Sequence, residues 1–300
     1  MTFQTGGNLS GGRVSAGGGR GGLVIGGGLG TIALVLVAVF FGVDPQAILP
    51  AIQGSEGSQQ NAAAVQDLQN RIDRCKKSDS AAANEDPVCR IVATTISVDA
   101  IWGEQLPRQM DTQYRRPNTV IFDQAVNTAC GTASVETGPF YCSGDNTAYF
   151  DLSFFETMLT RLGGVNAPAA QEYVVAHEYG HHVQNVLGWL TQDRMRSSGP
   201  NSSQVHLELE ADCFAGLWFH YASRPGNQPS DAPMLKPLTN DELQSIRVTA
   251  QAIGDDAIQE GAGQQVNPER WTHGSSQQRL NAFMTGYNNG SIERCHALGR

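Results

Sequence analysis

Residues 175–183 read Val-Ala-His-Glu-Tyr-Gly-His-His-Val and contain the pattern H-E-x-x-H. In an α-helix, at about 100° per residue, His181 lies about 40° round from His177 and one turn along, with Glu178 about 100° round. The two imidazoles and the carboxylate then share one face, where they can bind Zn²⁺ and accept a proton from an activated water. A chance match in a chain this long has a probability of roughly one per cent, so the pattern is a lead that needs a third ligand.

The sequence around the pattern predicts a long buried helix. Asn166 is a candidate N-cap, and Pro168 fits the first turn, where a missing amide hydrogen costs little. The helix is expected to end near Leu187, just before Gly188. Its remaining positions are largely apolar, as expected for a helix inside a domain.

The acidic segment Leu207-Glu208-Leu209-Glu210-Ala211-Asp212 offers the third ligand. Zinc in a hydrolytic site takes three protein ligands and keeps a fourth position open. On a helix Glu208 and Asp212 share a face, whereas Glu210 points about 160° away from both. We assign Glu208 to the metal and Asp212 to a hydrogen bond with a ligand histidine. The alternative, solvated acids on an exposed helix, is weakened by the apolar neighbours.

Apolar spacing and turn residues predict that helices dominate the rest of the chain. The strongest signal for a helix start is Thr239-Asn-Asp-Glu242, which fits a capping box. Pro107 is expected to end the predicted helix 91–106. The predicted helices are 91–106, 202–221, 239–253 and 275–287. The predicted strands are 118–123 and a hairpin of 140–142 with 147–151. The expected fold class is therefore α+β and mainly helical.

Composition excludes one class of partner. The formal net charge is −9 and the isoelectric point is near 5.2, and Lys and Arg are few and scattered. A nucleic-acid binder normally has a basic face. We therefore expect no nucleic-acid partner.

The N-terminal part predicts a membrane anchor. Residues 1–22 are rich in glycine and are expected to be a disordered cytoplasmic tail. Residues 23–43 carry no charge and as a helix would span about 31 Å, which predicts one transmembrane helix in contact with the lipid bilayer. A cleaved signal peptide is the alternative, but the apolar run is long and lacks a good cleavage site. Residues 44–88 are then a stalk, and residues 89–300 the catalytic domain.

The expected location follows from charge and cysteine usage. Arg13 and Arg20 precede the predicted span, so the N-terminus is expected in the cytoplasm and the catalytic domain outside a bacterial cell membrane. An even number of cysteines without a C-x-x-C pair predicts disulfides there. The preferred bridges are Cys75–Cys89 and Cys130–Cys142, which leaves Cys213 and Cys295 as a third bridge or as buried free thiols.

Two blocks of sequence resemble the bacterial neutral zinc metallopeptidase family. They are Ala176-His-Glu-x-Gly-His-His-Val-Gln184 and Glu208-Leu-x-Ala-Asp-Cys-x-Ala-Gly216. The resemblance covers nearly the whole chain and includes Gly138–Cys142 and Thr272–Arg279. It implies a zincin-like domain with a small sheet beside the active-site helix, similar in its site to the gluzincins. It also implies one Zn²⁺ per chain, with a peptide or protein substrate held as an added strand along Thr147–Asp151.

The function implied by the resemblance is zinc-dependent peptide hydrolysis, with Glu178 as the general base. The tetrahedral oxyanion needs a hydrogen-bond donor. The candidate is His273, with Arg279 and Tyr141 behind it, although His273 is equally suited to cap the last helix. The alternative function is a catalytically inactive, membrane-tethered binding or scaffold protein on a peptidase-like fold. His182, about 140° from His177 on the helix, is expected to pack rather than bind metal.

Overall fold

The computed structural model describes residues 2–18, 57–123, 125–224, 232 and 234–299. Most of these residues are helical, and the helix bearing H-E-x-x-H lies among the others. The α-helices are α1 (Gly57–Lys76), α2 (Pro87–Met110), α3 (Pro168–Val186), α4 (Ser203–Ala222), α5 (Asn240–Ala252), α6 (Asp255–Gly261), α7 (Ser276–Asn289) and α8 (Ile292–His296). A π-helical turn at Phe154–Met158 continues into a short α-helical turn at Leu159–Arg161. Helix α3 packs against α2, α4 and α5.

A small sheet flanks α3. The strands are β1 (Val14–Gly17), β2 (Asn118–Phe122), β3 (Ala125–Thr128), β4 (Gly131–Ser134), β5 (Phe140–Cys142) and β6 (Thr147–Asp151). Strands β1, β2 and β6 are parallel neighbours, and β5 is antiparallel to β6, which gives the order β1-β2-β6-β5. Strands β3 and β4 form a separate hairpin.

The sheet order corrects the expectation that the substrate is held along β6. From Thr147 to Tyr149 both edges of β6 already pair with strands, β2 on one side and β5 on the other. A strand with both edges paired has no free backbone groups for a peptide. The hairpin itself is predicted correctly. Its edge strand is β5, because β2, which is distant in sequence and parallel to β6, pairs with the other edge of β6.

Several local predictions are confirmed, and two helix ends differ. The Thr239–Glu242 capping box is present at the start of α5. Helix α3 has Ala167 rather than Asn166 at its N-cap, and the Asn166 side chain accepts a hydrogen bond from the Gln171 side chain. Pro107 lies inside the last turn of α2 rather than ending the helix.

The prediction of a disordered tail over residues 1–22 is wrong for residues 2–18. Phe3 and Leu9 are fully buried, and Val14 is nearly so. The backbone of Phe3 exchanges two hydrogen bonds with the side chain of Asn84, of 3.0 and 3.1 Å. The prediction used average composition, which does not register a few spaced apolar side chains with partners far along the chain.

The prediction of a membrane-anchored protein is not supported. Within the described ranges, no helix is both long and apolar enough to cross a membrane. The longest, α2, has 24 residues but carries Arg90, Asp99 and Glu104, and such charges oppose burial in lipid. The predicted span, 23–43, lies outside the described residues. The structure therefore does not support the predicted transmembrane helix. It also does not support the predicted contact with the lipid bilayer or the predicted single-pass membrane location.

The predicted sidedness is contradicted on separate grounds. Strand β1 precedes residues 23–43 and β2 follows them, yet the two strands pair in register from Val14 with Thr119 to Gly17 with Phe122. Paired strands lie in one compartment. A cytoplasmic N-terminus with the catalytic domain on the opposite side of a membrane is incompatible with this pairing.

The folded domain also begins earlier than the predicted boundary at Cys89. Helix α1, placed in the predicted stalk, packs against α2 and β1. The Arg71 guanidinium donates to both Asp86 carboxylate oxygens, at 2.9 and 3.0 Å. Asp86 in turn caps α2. Residues 57–88 therefore belong to the domain.

The disulfide prediction is confirmed. The bridges are Cys75–Cys89, Cys130–Cys142 and Cys213–Cys295. The first joins α1 to α2, the second joins the β3–β4 turn to β5, and the third joins α4 to α8. The third bridge shows that Cys213 and Cys295 are not free thiols.

Glycine sets the distance between the two helices that carry the predicted ligands. A Cβ atom added to Gly180 of α3 would lie 2.9 Å from the Cα of Ala211 in α4 and 3.0 Å from its carbonyl oxygen. Real Cβ atoms do not approach backbone so closely, so any larger residue would push the helices apart. Gly180, between the two histidines of the pattern, therefore brings α3 close to α4.

We predict that Gly180→Ala destabilises the fold by about 1–3 kcal/mol, because the added methyl group meets the α4 backbone. Gly103→Ala is the matched control: Gly103 is exposed in α2 and an added Cβ has no neighbour within 4 Å. That change should stabilise by about 0.5–1 kcal/mol through helix propensity. Urea denaturation followed by circular dichroism measures both, and equal effects of the two changes would contradict the packing argument.

A second prediction concerns Glu172 of α3, which is fully buried and accepts a hydrogen bond from Thr2. Burial raises the pKa of Glu172 to about 8. The stability contributed by the protonated form is complete below pH 4.5, the unfolded value, and is lost as pH rises through 8. Glu172→Gln should remove this loss, which amounts to at most about 5 kcal/mol. Denaturation curves from pH 5 to 9 test it, and parallel pH profiles for the wild type and the variant would refute it.

Candidate metal centre

The structure brings the three predicted ligand side chains together. His177 Nε2 lies 3.3 Å from Glu208 Oε2, and His181 Nε2 lies 3.6 Å from Glu208 Oε1. Ligand atoms about 2.0–2.2 Å from one tetrahedral ion lie about 3.3–3.6 Å from each other. Two imidazole nitrogens and a carboxylate oxygen are also donors that zinc accepts. The residues present therefore fit a zinc ion.

The cluster leaves one coordination position free of protein. In the described part of the chain, no fourth His, Cys, Asp or Glu joins the three, whose ligand atoms lie within 4.8 Å of one another. A second group, Cys75 with Asp86 and Cys89, has similar spacing, but its two sulfurs form a disulfide and cannot bind metal. Three protein ligands with an open position are typical of hydrolytic rather than structural zinc.

Asp212 orients His177, as the helix geometry predicts. Asp212 Oδ1 lies 2.8 Å from His177 Nδ1 and accepts a hydrogen bond of 2.5 Å from the Tyr173 hydroxyl. Arg279 donates to both Asp212 oxygens, at 2.9 and 3.0 Å. Burial raises the pKa of Asp212, but Arg279 and His177 lower it by more, so it stays below its usual value. The ionised carboxylate accepts a hydrogen bond from the Nδ1–H group, which leaves the Nε2 lone pair for a metal.

His181 has a different partner. Its Nδ1 lies 2.9 Å from Gln184 Oε1, three residues further along α3. Neither Gln184 nor Tyr173, on the other side of the site, was predicted to contact these side chains. Helical spacing is the signal that would have found both, because residues three or four apart share a face.

Glu178 and His273 line the same cavity as the ligand cluster. The cavity has a volume of about 370 Å³. Glu178 is 7% exposed, and burial raises its pKa while His177 and His181 partly offset the rise. The walls are otherwise mostly apolar: Phe140, Phe154, Leu162, Val174, Leu190 and Ile253.

Asp255, also missed by the sequence analysis, fixes the loop that carries His273. Its Oδ2 accepts hydrogen bonds from the backbone amides of Thr272, His273 and Gly274, at 2.7, 2.7 and 3.0 Å. Its Oδ1 lies 3.3 Å from His273 Nδ1. Burial lowers the pKa of His273, but Asp255 and Glu208 raise it by more. His273 is therefore held by its Nδ1 side and does not cap α7, whose N-cap is Ser275.

The structure does not place Arg279 or Tyr141 as oxyanion donors. The Arg279 guanidinium is occupied by Asp212 and by the Ile253 carbonyl, at 2.9 Å. The Tyr141 hydroxyl lies 3.0 Å from His182 Nδ1 and accepts from Asn185 at 2.9 Å. Of the three candidates, His273 keeps a ring nitrogen outside these networks.

His182 has the packing role predicted for it. It is buried, and its Nε2 donates to the Arg115 carbonyl oxygen at 2.5 Å. Burial lowers the pKa of His182 to about 4. A neutral ring between Arg115 and Tyr141 links α3 to β5 and to the segment that precedes β2.

The chain is similar to known proteins along most of its length. The sequence model of the family described as "putative neutral zinc metallopeptidase" matches residues 3–298 of this chain. The chain is 43% identical over 258 residues to the uncharacterized protein Rv2575 of Mycobacterium tuberculosis, covering 86% of this chain and 84% of that protein. It is 35% identical over 290 residues to the uncharacterized protein YpfJ of Escherichia coli K12, covering 94% and 88%. No solved structure matches the chain significantly.

We predict that the ligand cluster binds zinc and that its geometry sets the affinity. Asp212→Asn should weaken binding roughly 10–100-fold, because the amide holds the His177 tautomer less firmly. Glu208→Ala should weaken it further, since a donor atom is lost. Glu104→Ala on the exposed face of α2 is the control. Competition with a chromogenic chelator at fixed pH gives the affinities, and a Glu208→Ala protein that binds zinc like the control would contradict the assignment.

Proposed function

Because the chain belongs to the neutral zinc metallopeptidase family, we propose that it hydrolyses peptide bonds within peptide or protein substrates. One Zn²⁺ per chain would be held by His177, His181 and Glu208. The observation that supports this most is the position of Glu178, a buried carboxylate that lines the same cavity as a cluster with one open coordination position.

The bound zinc would supply Lewis acidity, which polarises a carbonyl and lowers the pKa of a coordinated water towards about 7. Glu178 accepts a proton from the attacking water and passes it to the leaving amine. Burial suits Glu178 to both steps, because it raises the pKa of the carboxyl towards the range in which it can take up and release a proton.

His273 is the proposed oxyanion donor. Asp255 engages its Nδ1, so the other ring nitrogen is available to donate into the cavity. A donor held by a partly buried carboxylate needs little reorganisation as charge develops on the substrate oxygen. Three backbone hydrogen bonds from the loop to Asp255 keep the ring in place.

We propose that the substrate pairs with β5, the strand at the cavity-side edge of the sheet. Residues Phe140 and Tyr141 of β5 line the cavity, and an edge strand offers backbone groups to an added strand. Backbone pairing does not require a free terminus, which favours cleavage within a chain, as an endopeptidase. The apolar cavity walls would receive apolar substrate side chains.

The alternative function, an inactive binding or scaffold protein, is supported less well. A structural zinc site is normally closed by a fourth protein ligand and has no use for a general base. Here the described residues supply three ligands, and Glu178 is retained beside them.

The decisive experiment compares the wild-type chain with Glu178→Gln on a broad peptide library, with zinc content measured in parallel. Glu178→Gln should keep its zinc and lose nearly all activity, because the amide cannot accept the proton. Glu172→Gln, a change of the same kind in the same helix, should keep both. Zinc-loaded wild-type protein that cleaves nothing, or Glu178→Gln protein that cleaves as well as the wild type, would sink the proposal.

A further inference from the structure

Glu210 is connected to His181 through the side chain of Gln184, which contacts both residues. It is fully buried in α4, although its side chain points away from Glu208. Its Oε1 lies 3.0 Å from His296 Nδ1 and 3.4 Å from Arg194 Nη2. Its Oε2 accepts a hydrogen bond of 3.1 Å from Gln184 Nε2. A buried carboxylate is costly to keep unless its contacts compensate, so these contacts need an explanation.

The contacts of Gln184 fix which way its amide points. Its Nε2 donates to the Leu207 carbonyl oxygen at 2.6 Å and to Glu210 Oε2. Both partners are acceptors only, so the NH₂ group has to face them. The Oε1 of Gln184 therefore faces His181 Nδ1, at 2.9 Å. A rotated amide would set its oxygen against two other oxygens.

The fixed amide in turn selects the tautomer of His181. An amide oxygen accepts but does not donate, so Nδ1 has to carry the ring proton. Nε2, which lies 3.6 Å from Glu208 Oε1, then presents a lone pair towards the cluster. Only the unprotonated nitrogen of a neutral imidazole binds a metal.

We propose that Glu210 is a positioning residue, which acts through Gln184 to hold His181 in its metal-binding tautomer. The proposal rests on the proposed function in one respect, the role of His181 as a ligand. It assigns Glu210 a role in the site even though the residue touches neither the cluster nor the cavity. Without Glu210, the Gln184 amide keeps one acceptor, Leu207, and is freer to rotate its NH₂ group towards Nδ1.

A double-mutant cycle on zinc affinity separates this relay from a merely structural role. Gln184→Leu should weaken zinc binding roughly 10–100-fold, as expected when the partner of a ligand histidine is lost. Glu210→Ala should weaken it roughly three- to tenfold, because Leu207 still restrains the amide. In the Gln184→Leu background, Glu210→Ala should change the affinity less than twofold, because the relay is already broken.

Two conservative changes control for the removal of a buried charge. Glu210→Gln keeps an oxygen that can accept from Gln184 and should bind zinc within about twofold of the wild type. Glu172→Gln removes a buried carboxyl of the same helix bundle that has no path to His181, and should also bind normally. If Glu210→Ala lowers zinc affinity equally in both backgrounds, or not at all, the proposal is overturned.

The tautomer itself is measured in the metal-free chain by ¹⁵N NMR, at a pH high enough for the His181 ring to be neutral, with the His181 signals identified by their loss in His181→Gln. The wild type should show a protonated Nδ1 and Glu210→Ala a larger share of protonated Nε2. This readout needs neither zinc nor activity, so it tests the relay even if Gln184→Leu fails to fold. An unchanged tautomer in Glu210→Ala protein overturns the relay alone, whereas wild-type protein that binds no zinc overturns the proposed function.

Discussion

The close contact between α3 and α4 is the constraint on which the site depends. The two histidines lie on one helix and the glutamate on the other, so the ligand spacing is set by how near the two backbones come. Gly180 faces Ala211 at that contact. The same principle recurs behind α4, where Gly216 and Gly286 face backbone atoms of α7 and α4. Helices packed this tightly have few alternative arrangements, which keeps three side chains at ligand distance before a metal binds.

The two histidines are held by chemically different partners. His177 contacts the Asp212 carboxylate, whose charge is balanced by Arg279. His181 instead contacts the neutral amide of Gln184, and the orientation of that amide depends on the Glu210 carboxylate. In each case a buried acid sets the proton position on the ring, directly in one and through an intermediate in the other. Because Gln184 lies between Glu210 and His181, the negative charge of Glu210 is not placed directly beside Glu208 and Glu178.

The chemistry of the site could be read from the sequence because it is local to two helices. The spacing of His177 and His181, and of Glu208 and Asp212, follows from helical periodicity, and the structure brings the first three together and bonds Asp212 to His177. Periodicity also predicts that Glu210 points away from Glu208, but it does not state what packs against that side chain. Asp255 gave no such signal, since its partners are backbone amides about 17 to 19 residues away.

Long-range pairing limited the prediction of the fold. The 140–142 and 147–151 hairpin was predictable from its turn, but its place in the sheet depends on β2, and β2 depends on β1 at the other end of a long intervening segment. A glycine-rich composition suggested disorder for residues that in fact contribute Phe3, Leu9 and Val14 to the core. Single apolar residues far from their partners carry almost no local signal, so neither the strand order nor the packing of residues 2–18 could be derived from the sequence.

The bridge between Cys130 and Cys142 has a consequence for how the cavity receives a substrate. It joins the turn of the β3–β4 hairpin to β5, and both elements line the cavity. A hairpin that hung free would have to be immobilised each time a peptide entered, and that ordering would subtract from the binding free energy. With the cross-link in place, the conformational entropy of this wall is given up once, when the chain folds, rather than at every encounter.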